Sequence, residues 1–414
     1  MEAVSYRCLR HVRRPLSSIQ VLVGPNASGK TTFLDVIAFL GTLSSSGLQA
    51  AFRERSQNPL DLLWNREPGR IEIALEAQIP AALRSRLRKQ YSVIRYEVAI
   101  SVDSATSEPS IQVEKAYFKH AEPEDPEERF ALFPDTVAVA SAIDRRRIDT
   151  QSILSKSPGG NDKYYSEVYK EAGKGWAPSY RLGPGKSTLG NLPADEDKFP
   201  VALWLKDLLE RGVQKIVLNS QLLRLASPPG QTRGFRPDGS NLPWVIREMK
   251  SKQPAAFRSW VDHLRTALPD IRDVDVVVRE DDRHAYLVVL YSGGLRAPSW
   301  LVSDGTLRLL ALTILAYLPS SSDIYLVEEP ENGIHPTAVE TIFQSLSSVY
   351  DGQVLVASHS PVLLGVAQPE QLLCFSKNPD GATAIIRGDR HPALREWKGE
   401  VSLGTVFASG ILGA

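Results

Sequence analysis

Cysteine is scarce in this sequence, and neither sign of charge is in excess. The 414 residues contain only Cys8 and Cys374, which excludes a disulfide-rich scaffold and a cysteine-based zinc site and indicates a reducing compartment. The 48 basic residues balance the 48 acidic residues. No global field therefore steers the chain toward nucleic acid or an anionic membrane, and binding to either requires a local patch.

Long hydrophobic runs are also lacking. The longest run, residues 309–318, ends at Pro319 and is far too short to span a bilayer. The N-terminus carries several basic residues and has no apolar core of a secretion signal. With 43% hydrophobic and 23% charged side chains, the composition excludes a disordered chain. We therefore expect a folded cytoplasmic protein that does not contact a membrane.

Two hydrophobic patterns divide the chain. Apolar and polar residues alternate over residues 71–79, 93–102 and 111–118, which predicts antiparallel strands with one wet face. Residues 242–268 are typical of two short helices split at Pro254. In the last third of the chain, predicted helices and buried strands alternate, and this order predicts a parallel sheet and an α/β fold.

Loop-rich stretches separate these patterns. The acidic residues 122–128 and the Gly-, Pro- and Ser-rich residues 155–197 predict loops or poorly ordered insertions. We expect an N-terminal lobe over 1–120, an insertion or helical region with flexible loops over 121–240, and a C-terminal lobe over 241–414.

A glycine-rich loop lies between the predicted strand 19–23 and the predicted helix 31–43. Its sequence, Gly-Pro-Asn-Ala-Ser-Gly-Lys-Thr, fits the phosphate-binding pattern G-x-x-x-x-G-K-[ST]. In such a loop backbone N–H groups surround the phosphates, Lys30 reaches the β- and γ-phosphates, and Thr31 puts its hydroxyl on Mg²⁺. The candidate nucleotide-binding residues are Gly24, Pro25, Asn26, Ala27, Ser28, Gly29, Lys30, Thr31 and Thr32.

Two carboxylates follow the apolar run of residues 324–327. Glu328 and Glu329 stand directly before Pro330, where metal and water chemistry takes place at the carboxyl edge of a parallel sheet. We predict that Glu328 holds Mg²⁺ and that Glu329 orients or deprotonates the attacking water. Two such acids are by themselves more often a solvated turn, but the phosphate loop favours the catalytic interpretation.

Two further motifs complete the candidate site. Ser303, Asp304 and Gly305 precede a predicted helix, where the serine is at least an N-cap. The same helix end presents a hydroxyl, N–H groups and a positive dipole to the γ-phosphate of ATP held by a second subunit. His359 follows the next predicted strand, which places an imidazole at the same sheet edge and predicts a γ-phosphate contact.

The order of these motifs resembles the ATP-binding-cassette branch of P-loop ATPases. Within it, residues 301–308 (Leu-Val-Ser-Asp-Gly-Thr-Leu-Arg) and 326–336 (Leu-Val-Glu-Glu-Pro-Glu-Asn-Gly-Ile-His-Pro) are similar to the AAA-type ATPases related to the OLD, RecF and SMC heads. The resemblance covers residues 15–45 and 240–414. It implies an ABC-ATPase-type head with a mixed central sheet, an antiparallel β lobe and a helical lobe, and ATP and Mg²⁺ as cofactors.

The resemblance also implies roles for individual residues. Residues 303–306 would be the signature motif that contacts ATP bound by the partner protomer, His359 the switch histidine, and residues 332–336 part of the dimer-facing D-loop. Asp304 stands where transporter cassettes carry glycine, and Glu328 replaces the usual aspartate, so a transporter is disfavoured. The Q-loop glutamine stays open between Gln57, Gln78 and Gln151.

As a function, the resemblance implies a homodimeric ATPase with composite ATP sites that regulates or drives a separate effector in anti-phage defence. Only about 55 residues follow His359, too few for the nuclease domain that OLD proteins carry there. We therefore expect a nuclease or toxin effector on another polypeptide. The alternative is a RecF-like DNA-binding repair ATPase.

Two clusters of basic residues are candidates for a DNA-binding surface. They could form a phosphate-backbone patch, but solvated arginines are at least as good an explanation, because Asp144 and Asp149 flank the triple arginine and no aromatic residue is interleaved. The residues concerned are Arg84, Arg86, Arg88, Lys89, Arg145, Arg146 and Arg147.

Overall fold

The computed structural model of the protein describes most of the chain. The described residues are 1–87, 89–121, 133–134, 138–144, 149–168, 178–231, 234–319, 323–350, 352–394, 397, 401–410 and 412. The chain divides into two compact units. The first comprises Met1–Leu16, Pro25–Val213 and Phe375–Ile386, and the second Ser17–Gly24, Gln214–Cys374 and Arg387–Ala414.

An antiparallel sheet of eight strands dominates the first unit. Its strand order is β2-β1-β4-β5-β6-β7-β8-β9, and all its neighbouring strands are antiparallel. The three strands predicted from alternation are β4, β5 and β6, so this part of the antiparallel lobe is confirmed. The strands are β1 (Glu2–Tyr6), β2 (Leu9–Arg13), β4 (Arg70–Gln78), β5 (Val93–Val102), β6 (Pro109–Lys119), β7 (Gln151–Lys156), β8 (Asp162–Tyr164) and β9 (Ser179–Tyr180).

The face of β5 that was expected to be wet is buried. Arg95 and Glu97 occupy polar positions of the alternating pattern, yet Arg95 is 8% exposed and Glu97 is not exposed at all. Arg95 Nη2 donates to the carbonyl of Ala142 at 2.7 Å, and Glu97 Oε1 accepts from the N–H of Asp144 at 3.1 Å. The expectation of one wet face is wrong for β5, because a later segment covers these charges and supplies part of their hydrogen bonds, while Glu2 of β1 and Glu76 of β4 accept others from Arg95.

The stretch 155–197, predicted to consist of loops or poorly ordered insertions, is in large part folded. Its described residues extend the sheet through β8 and β9 and bury the side chains of Tyr164 and Leu189. The fully buried carboxylate of Glu114 on β6 accepts the backbone N–H groups of Thr188 at 2.7 Å and Leu189 at 2.8 Å. The polar composition of residues 155–197 predicted loops. The residue that anchors part of this stretch, Glu114, lies on a distant strand, so the local sequence pattern does not reveal it. Residues 122–128, 145–147 and 169–177 lie outside the described residues.

Helix α1 (Lys30–Ser46) packs on the aromatic core of the first unit. Phe39 makes edge contacts with Tyr6 and Phe52, each with ring centroids 5.7 Å apart. The helix ends at Gly47, whose φ of 86° lets its N–H bond back to the carbonyl of Thr42. The other helices of this unit are α2 (Leu48–Arg53), α3 (Ala81–Arg84) and α4 (Pro200–Asp207), the last followed by a π turn over Leu208–Gly212.

The second unit is built on a sheet with parallel strands. Its order is β10-β14-β15-β3-β16, with β14, β15, β3 and β16 mutually parallel, which confirms the parallel sheet predicted from alternation. The end of β16 and most of the next strand, β17, belong to the first unit. The bounds are β10 (Val213–Ile216), β14 (Ile324–Glu328), β15 (Gln353–Ala357), β3 (Ile19–Val23), β16 (Leu372–Lys377) and β17 (Thr383–Arg387).

Helices and a small antiparallel sheet complete the second unit. The predicted split at Pro254 is confirmed, since α6 ends at Lys252 and α7 starts at Pro254. Trp260 of α7 is buried and donates from Nε1 to the hydroxyl of Thr313 at 3.0 Å. The elements are α5 (Ser220–Arg224), α6 (Leu242–Lys252), α7 (Pro254–Ala267), β11 (Ile271–Val278), β12 (Ala285–Tyr291), β13 (Arg296–Pro298), α8 (Asp304–Thr313), α9 (Pro336–Ser347), α10 (Pro361–Val366) and α11 (Leu403–Ala408).

The observed elements confirm an α/β fold with an antiparallel β lobe, a sheet with parallel strands and a set of helices before α8. The domain boundaries at residues 120 and 240 stay a prediction. In the part of the chain that the structure describes, no helix combines the length and apolar character needed to cross a membrane.

Candidate nucleotide-binding site

Three predicted motifs begin at one edge of the parallel sheet. In the register of the second unit, Leu22 of β3 pairs with Ala357 of β15, and Ala357 pairs with Glu328 of β14. The carboxyl ends of the three strands therefore lie side by side. Gly24 starts the phosphate loop directly after β3, and His359 follows β15. Ligands of open α/β sheets bind at this edge.

The phosphate loop has the backbone that its glycines predict. Gly24 and Gly29 have φ values of 147° and 106°, and Gly29 caps α1 without any side-chain cap. Gly29 has no side chain with which to cap the helix, and a helix N-terminus that follows a glycine loop is suited to bind an anion. Pro25, Asn26 and Ala27 are exposed, whereas Ser28, Gly29 and Lys30 are buried. Thr31 and Thr32 lie in the first turn of α1.

Two residues that sequence reasoning missed support the loop from behind. A Cβ atom on Gly29 would lie 2.3 Å from Thr383 Oγ1 and 3.0 Å from Cys8 Sγ, so only glycine fits there. The hydroxyl of Thr383 donates to the carbonyl of Ser28 at 2.9 Å. Nothing in the sequence near Cys8 or Thr383 signals this role, because both come from distant parts of the chain.

The polar side chains of the loop fit a phosphate group. Lys30 is 7% exposed and its Nζ donates to the carbonyl of Pro25 at 2.8 Å, so the ammonium lies within the loop. The buried hydroxyl of Ser28 has no hydrogen-bond partner among the described residues. Such a group costs free energy unless a ligand or water satisfies it, and a phosphate oxygen would do so.

Both predicted carboxylates are held by contacts that the sequence did not reveal. Glu328 Oε1 lies 2.8 Å from Nζ of Lys215 on β10. Glu329 has a φ of 48°, a conformation rare for this residue type and frequent at functional sites. Its N–H donates to the carbonyl of Ala357 at 2.8 Å, and its exposed carboxylate accepts from the side-chain amide of Asn332.

Glu331 joins the loop after β14 to the loop after β15. Its Oε1 accepts from the hydroxyl of Ser358 at 2.7 Å and from the N–H of His359 at 2.9 Å. Ser358 is fully buried and its own N–H donates to the carbonyl of Leu22 at 3.1 Å. Sequence reasoning missed Glu331, although its place two residues after Glu329 was a usable signal.

The predicted signature residues make contacts within their own chain. Ser303 is an N-cap of α8, with its Oγ accepting from the N–H of Thr306 at 3.2 Å. Asp304 Oδ1 lies 2.8 Å from Nε and 2.6 Å from Nη2 of Arg224. A Cβ on Gly305 would lie 2.7 Å from the carbonyl oxygen of Gly333, which requires glycine. Their contact with ATP of a second subunit stays a prediction.

The predicted Mg²⁺ ligands Thr31 and Glu328 supply a hydroxyl and a carboxylate oxygen, the hard donors that Mg²⁺ prefers. No group of three or more His, Cys, Asp or Glu side chains among the described residues is placed to hold a metal. A nucleotide-bound Mg²⁺ needs no such group, since phosphate oxygens and water complete its shell. The donor set therefore fits Mg²⁺ bound together with ATP.

The three described residues of the predicted basic cluster contact oxygen acceptors. Arg84 Nε donates to the carbonyl of Ile79 at 2.8 Å, Arg86 Nη2 to that of Glu196 at 3.1 Å, and Lys89 Nζ lies 2.7 Å from Asp149 Oδ1. These contacts favour the solvated-arginine explanation. Arg88, Arg145, Arg146 and Arg147 lie outside the described residues.

Residues 19–365 match a protein family described as "AAA domain, putative AbiEii toxin, Type IV TA system". The chain belongs to this AAA family. AAA domains are ATPase domains, so the chain belongs to a family of P-loop ATPases, and nucleotide binding is a property of that family. A comparison with curated protein sequences gives no match.

Two solved structures with a similar fold are heads of SMC proteins. This AAA chain is similar to the SMC head bound to the C-terminal winged-helix domain of ScpA, with 14% identity, 93% of this chain and 95% of that chain covered, and a TM-score of 0.53. It is also similar to the SMC head with an extended coiled coil bound to the C-terminal domain of ScpA from Pyrococcus furiosus, with 12% identity, 99% and 97% covered, and a TM-score of 0.51. The fold is SMC head-like.

Proposed function

We propose that the chain binds ATP with Mg²⁺ at this sheet edge and hydrolyses it to ADP and phosphate. The observation that carries the proposal is the register of Leu22, Ala357 and Glu328. In this register the first residue of the phosphate loop, Gly24, follows β3, while the adjacent strand β15 ends before His359 and the next strand, β14, ends at Glu328. The buried hydroxyl of Ser28, which has no hydrogen-bond partner in the part of the chain that the structure describes, adds a group suited to a phosphate oxygen.

Each residue has a role in the proposed reaction. Lys30 binds the β- and γ-phosphates, and Thr31 and Glu328 hold Mg²⁺, which neutralises charge on the phosphates when bound. Glu329 orients or deprotonates the attacking water, with its carboxylate held by Asn332. His359 contacts the γ-phosphate. Positioning and electrostatic stabilisation supply most of the catalysis of phosphoryl transfer.

Two protomers together would complete the ATP sites. Ser303, Asp304 and Gly305 would contact the γ-phosphate held by the partner protomer. The apolar side chains beside them support this proposal, since Trp300 is 46% and Leu301 71% exposed. Adjacent exposed apolar residues are typical of surfaces that another chain covers.

The output of this ATPase would be control of a separate effector, a nuclease or a toxin, in anti-phage defence within the cytoplasm. The family description, with its toxin and type IV toxin–antitoxin system, supports a defence context. The SMC heads with the same fold are bound to domains of a separate protein, ScpA, which supports a partner protein here. A RecF-like DNA clamp is the alternative that the experiments must separate.

Two measurements test this function. The purified chain should release phosphate from Mg·ATP, and Lys30→Ala should reduce the rate at least about a hundredfold, while Lys252→Ala, which removes an exposed helix-surface lysine, should not. Equal rates for wild type and Lys30→Ala would contradict the assignment. Native purification should then recover an effector protein, whereas ATP-dependent and steeply salt-dependent DNA binding would favour the clamp.

A further inference from the structure

Lys215 contacts Glu328, the predicted Mg²⁺ ligand. It belongs to β10, which is the neighbour of β14 in the sheet, and β14 ends at Glu328. Its Nζ is 2.8 Å from Glu328 Oε1, a buried oxygen, and the contact is an ion pair without hydrogen-bond geometry. The two side chains as a whole are 41% and 28% exposed. Gln214, the preceding residue on β10, contacts Asp323 instead, with its Nε2 3.3 Å from Oδ2.

We propose that Lys215 is a positioning residue that holds the carboxylate of Glu328 until a divalent cation displaces its ammonium group. This inference rests on the proposed function and deepens it, because it names the residue that sets how tightly the site takes its metal. The contact between Lys215 and Glu328 is what assigns it.

The competition follows from simple electrostatics. A Mg²⁺ ion binds carboxylate oxygen at roughly 2.0–2.1 Å, so it cannot share Oε1 with an ammonium without strong repulsion between the two positive groups. The lysine has a flexible stem, and its partly exposed ion pair is worth about 1 kcal/mol or less. Displacement is therefore cheap, and we expect Lys215 to weaken divalent-cation binding by about threefold to fivefold.

Mn²⁺ binding measured by electron paramagnetic resonance tests the proposal without depending on turnover. The full chain, in excess over a non-hydrolysable ATP analogue so that little analogue is free, is titrated with Mn²⁺. The loss of the free Mn²⁺ signal is compared with the same titration of the analogue alone, and the difference reports binding to the protein. Lys215→Met should bind Mn²⁺ about threefold to fivefold more tightly than wild type, and Lys215→Arg should bind it like wild type. Lys252→Met is the matched control, because it removes an ion-paired lysine of α6 that does not contact Glu328.

The outcomes separate this inference from the proposed function. No nucleotide-dependent Mn²⁺ binding by wild type would overturn the function itself. Binding by wild type that is unchanged or weakened in Lys215→Met, with the variant melting like wild type, would overturn the role of Lys215 alone. A gain of the same size in the Glu328→Gln background would also overturn it, since displacement from that carboxylate then plays no part.

Discussion

Glu331 Oε1 accepts hydrogen bonds from the hydroxyl of Ser358 at 2.7 Å and from the backbone N–H of His359 at 2.9 Å. One carboxylate oxygen thus fixes the start of the loop that carries the predicted switch histidine. Because buried hydrogen bonds to a charged acceptor are stronger than neutral ones, the position of His359 depends on a residue outside the predicted catalytic set.

We expect Glu331→Ala to lower ATP turnover about tenfold while the affinity for a non-hydrolysable analogue changes about twofold or less, because the histidine loop loses its anchor and the phosphate loop does not. Single-turnover phosphate release and calorimetric titration give the two quantities. In a Glu331→Ala, His359→Ala double variant the effects should not add. Additive losses would show that Glu331 acts independently of His359 and would contradict the prediction. The control is Glu340→Ala on the exposed face of α9, which should leave turnover unchanged.

Asp304 and Arg224 should behave as one unit. Each is paired with the other, and Arg224 also donates to the carbonyl of Trp300 at 3.0 Å, so the pair fixes the turn before α8. We expect Asp304→Ala and Arg224→Ala to lower the free energy of unfolding by about 1 kcal/mol or less, since the pair is partly exposed. In denaturant titrations the double variant should lose no more than the larger single loss. Fully additive losses would contradict the coupling.

Gly29→Ala should abolish nucleotide binding. The added Cβ would meet Thr383 Oγ1 at 2.3 Å, and φ at this position is 106°, so the phosphate loop must distort. The matched control is Gly230→Ala, where φ is 76° and nothing lies within 4 Å of the added Cβ. We expect the control to cost about 1–2 kcal/mol of stability and to keep the affinity for ATP. A Gly29→Ala variant that binds ATP like wild type would show that the loop is not the site.

How much of the fold and of the candidate site the sequence predicts depends on how far apart the interacting residues lie along the chain. Periodicity and motif spacing predict the strands at residues 19–23, 93–102 and 324–327 and the phosphate loop, because both are local signals. They do not predict Lys215, Glu331 or the support from Thr383, because each acts through a contact between elements that only the fold brings together. The same limit explains why residues 155–197 were predicted to be loops although Glu114 anchors part of them in the core.

The composite-site prediction needs a residue that can be changed without a clash in its own chain. Gly305 is unsuitable, because an added side chain would strike the carbonyl of Gly333, whereas Ser303 is exposed. We expect Ser303→Arg to bind ATP without hydrolysing it, and mixing it with Lys30→Ala to restore part of the activity through the one heterodimer site that has both motifs intact. No recovery from two folded, associating variants would contradict the dimer. Ser303→Thr, which keeps an N-cap hydroxyl, is the control.

Glu167 should give the protein a measurable loss of stability as the pH rises. Its carboxyl is buried and accepts the N–H groups of Val201 at 2.7 Å and Ala202 at 2.8 Å at the start of α4. Burial raises its pKa from 4.5 to about 7, although those two hydrogen bonds lower it in part. The folded state therefore keeps a proton that the unfolded chain releases between these two pKa values.

The sign of the effect follows from this difference in bound protons. The contribution of protonated Glu167 to the free energy of unfolding is fully present below pH 4.5 and is lost as the pH rises to about 7. The free energy of unfolding falls by up to about 1.4 kcal/mol per pH unit in this range and does not change further above it. Urea unfolding of wild type and Glu167→Gln at several pH values from 5 to 8 measures the difference, because glutamine cannot titrate. We expect the stability of wild type relative to Glu167→Gln to decline across this range. Glu196→Gln, at an exposed position, should follow wild type, and parallel curves for wild type and Glu167→Gln would contradict the assignment.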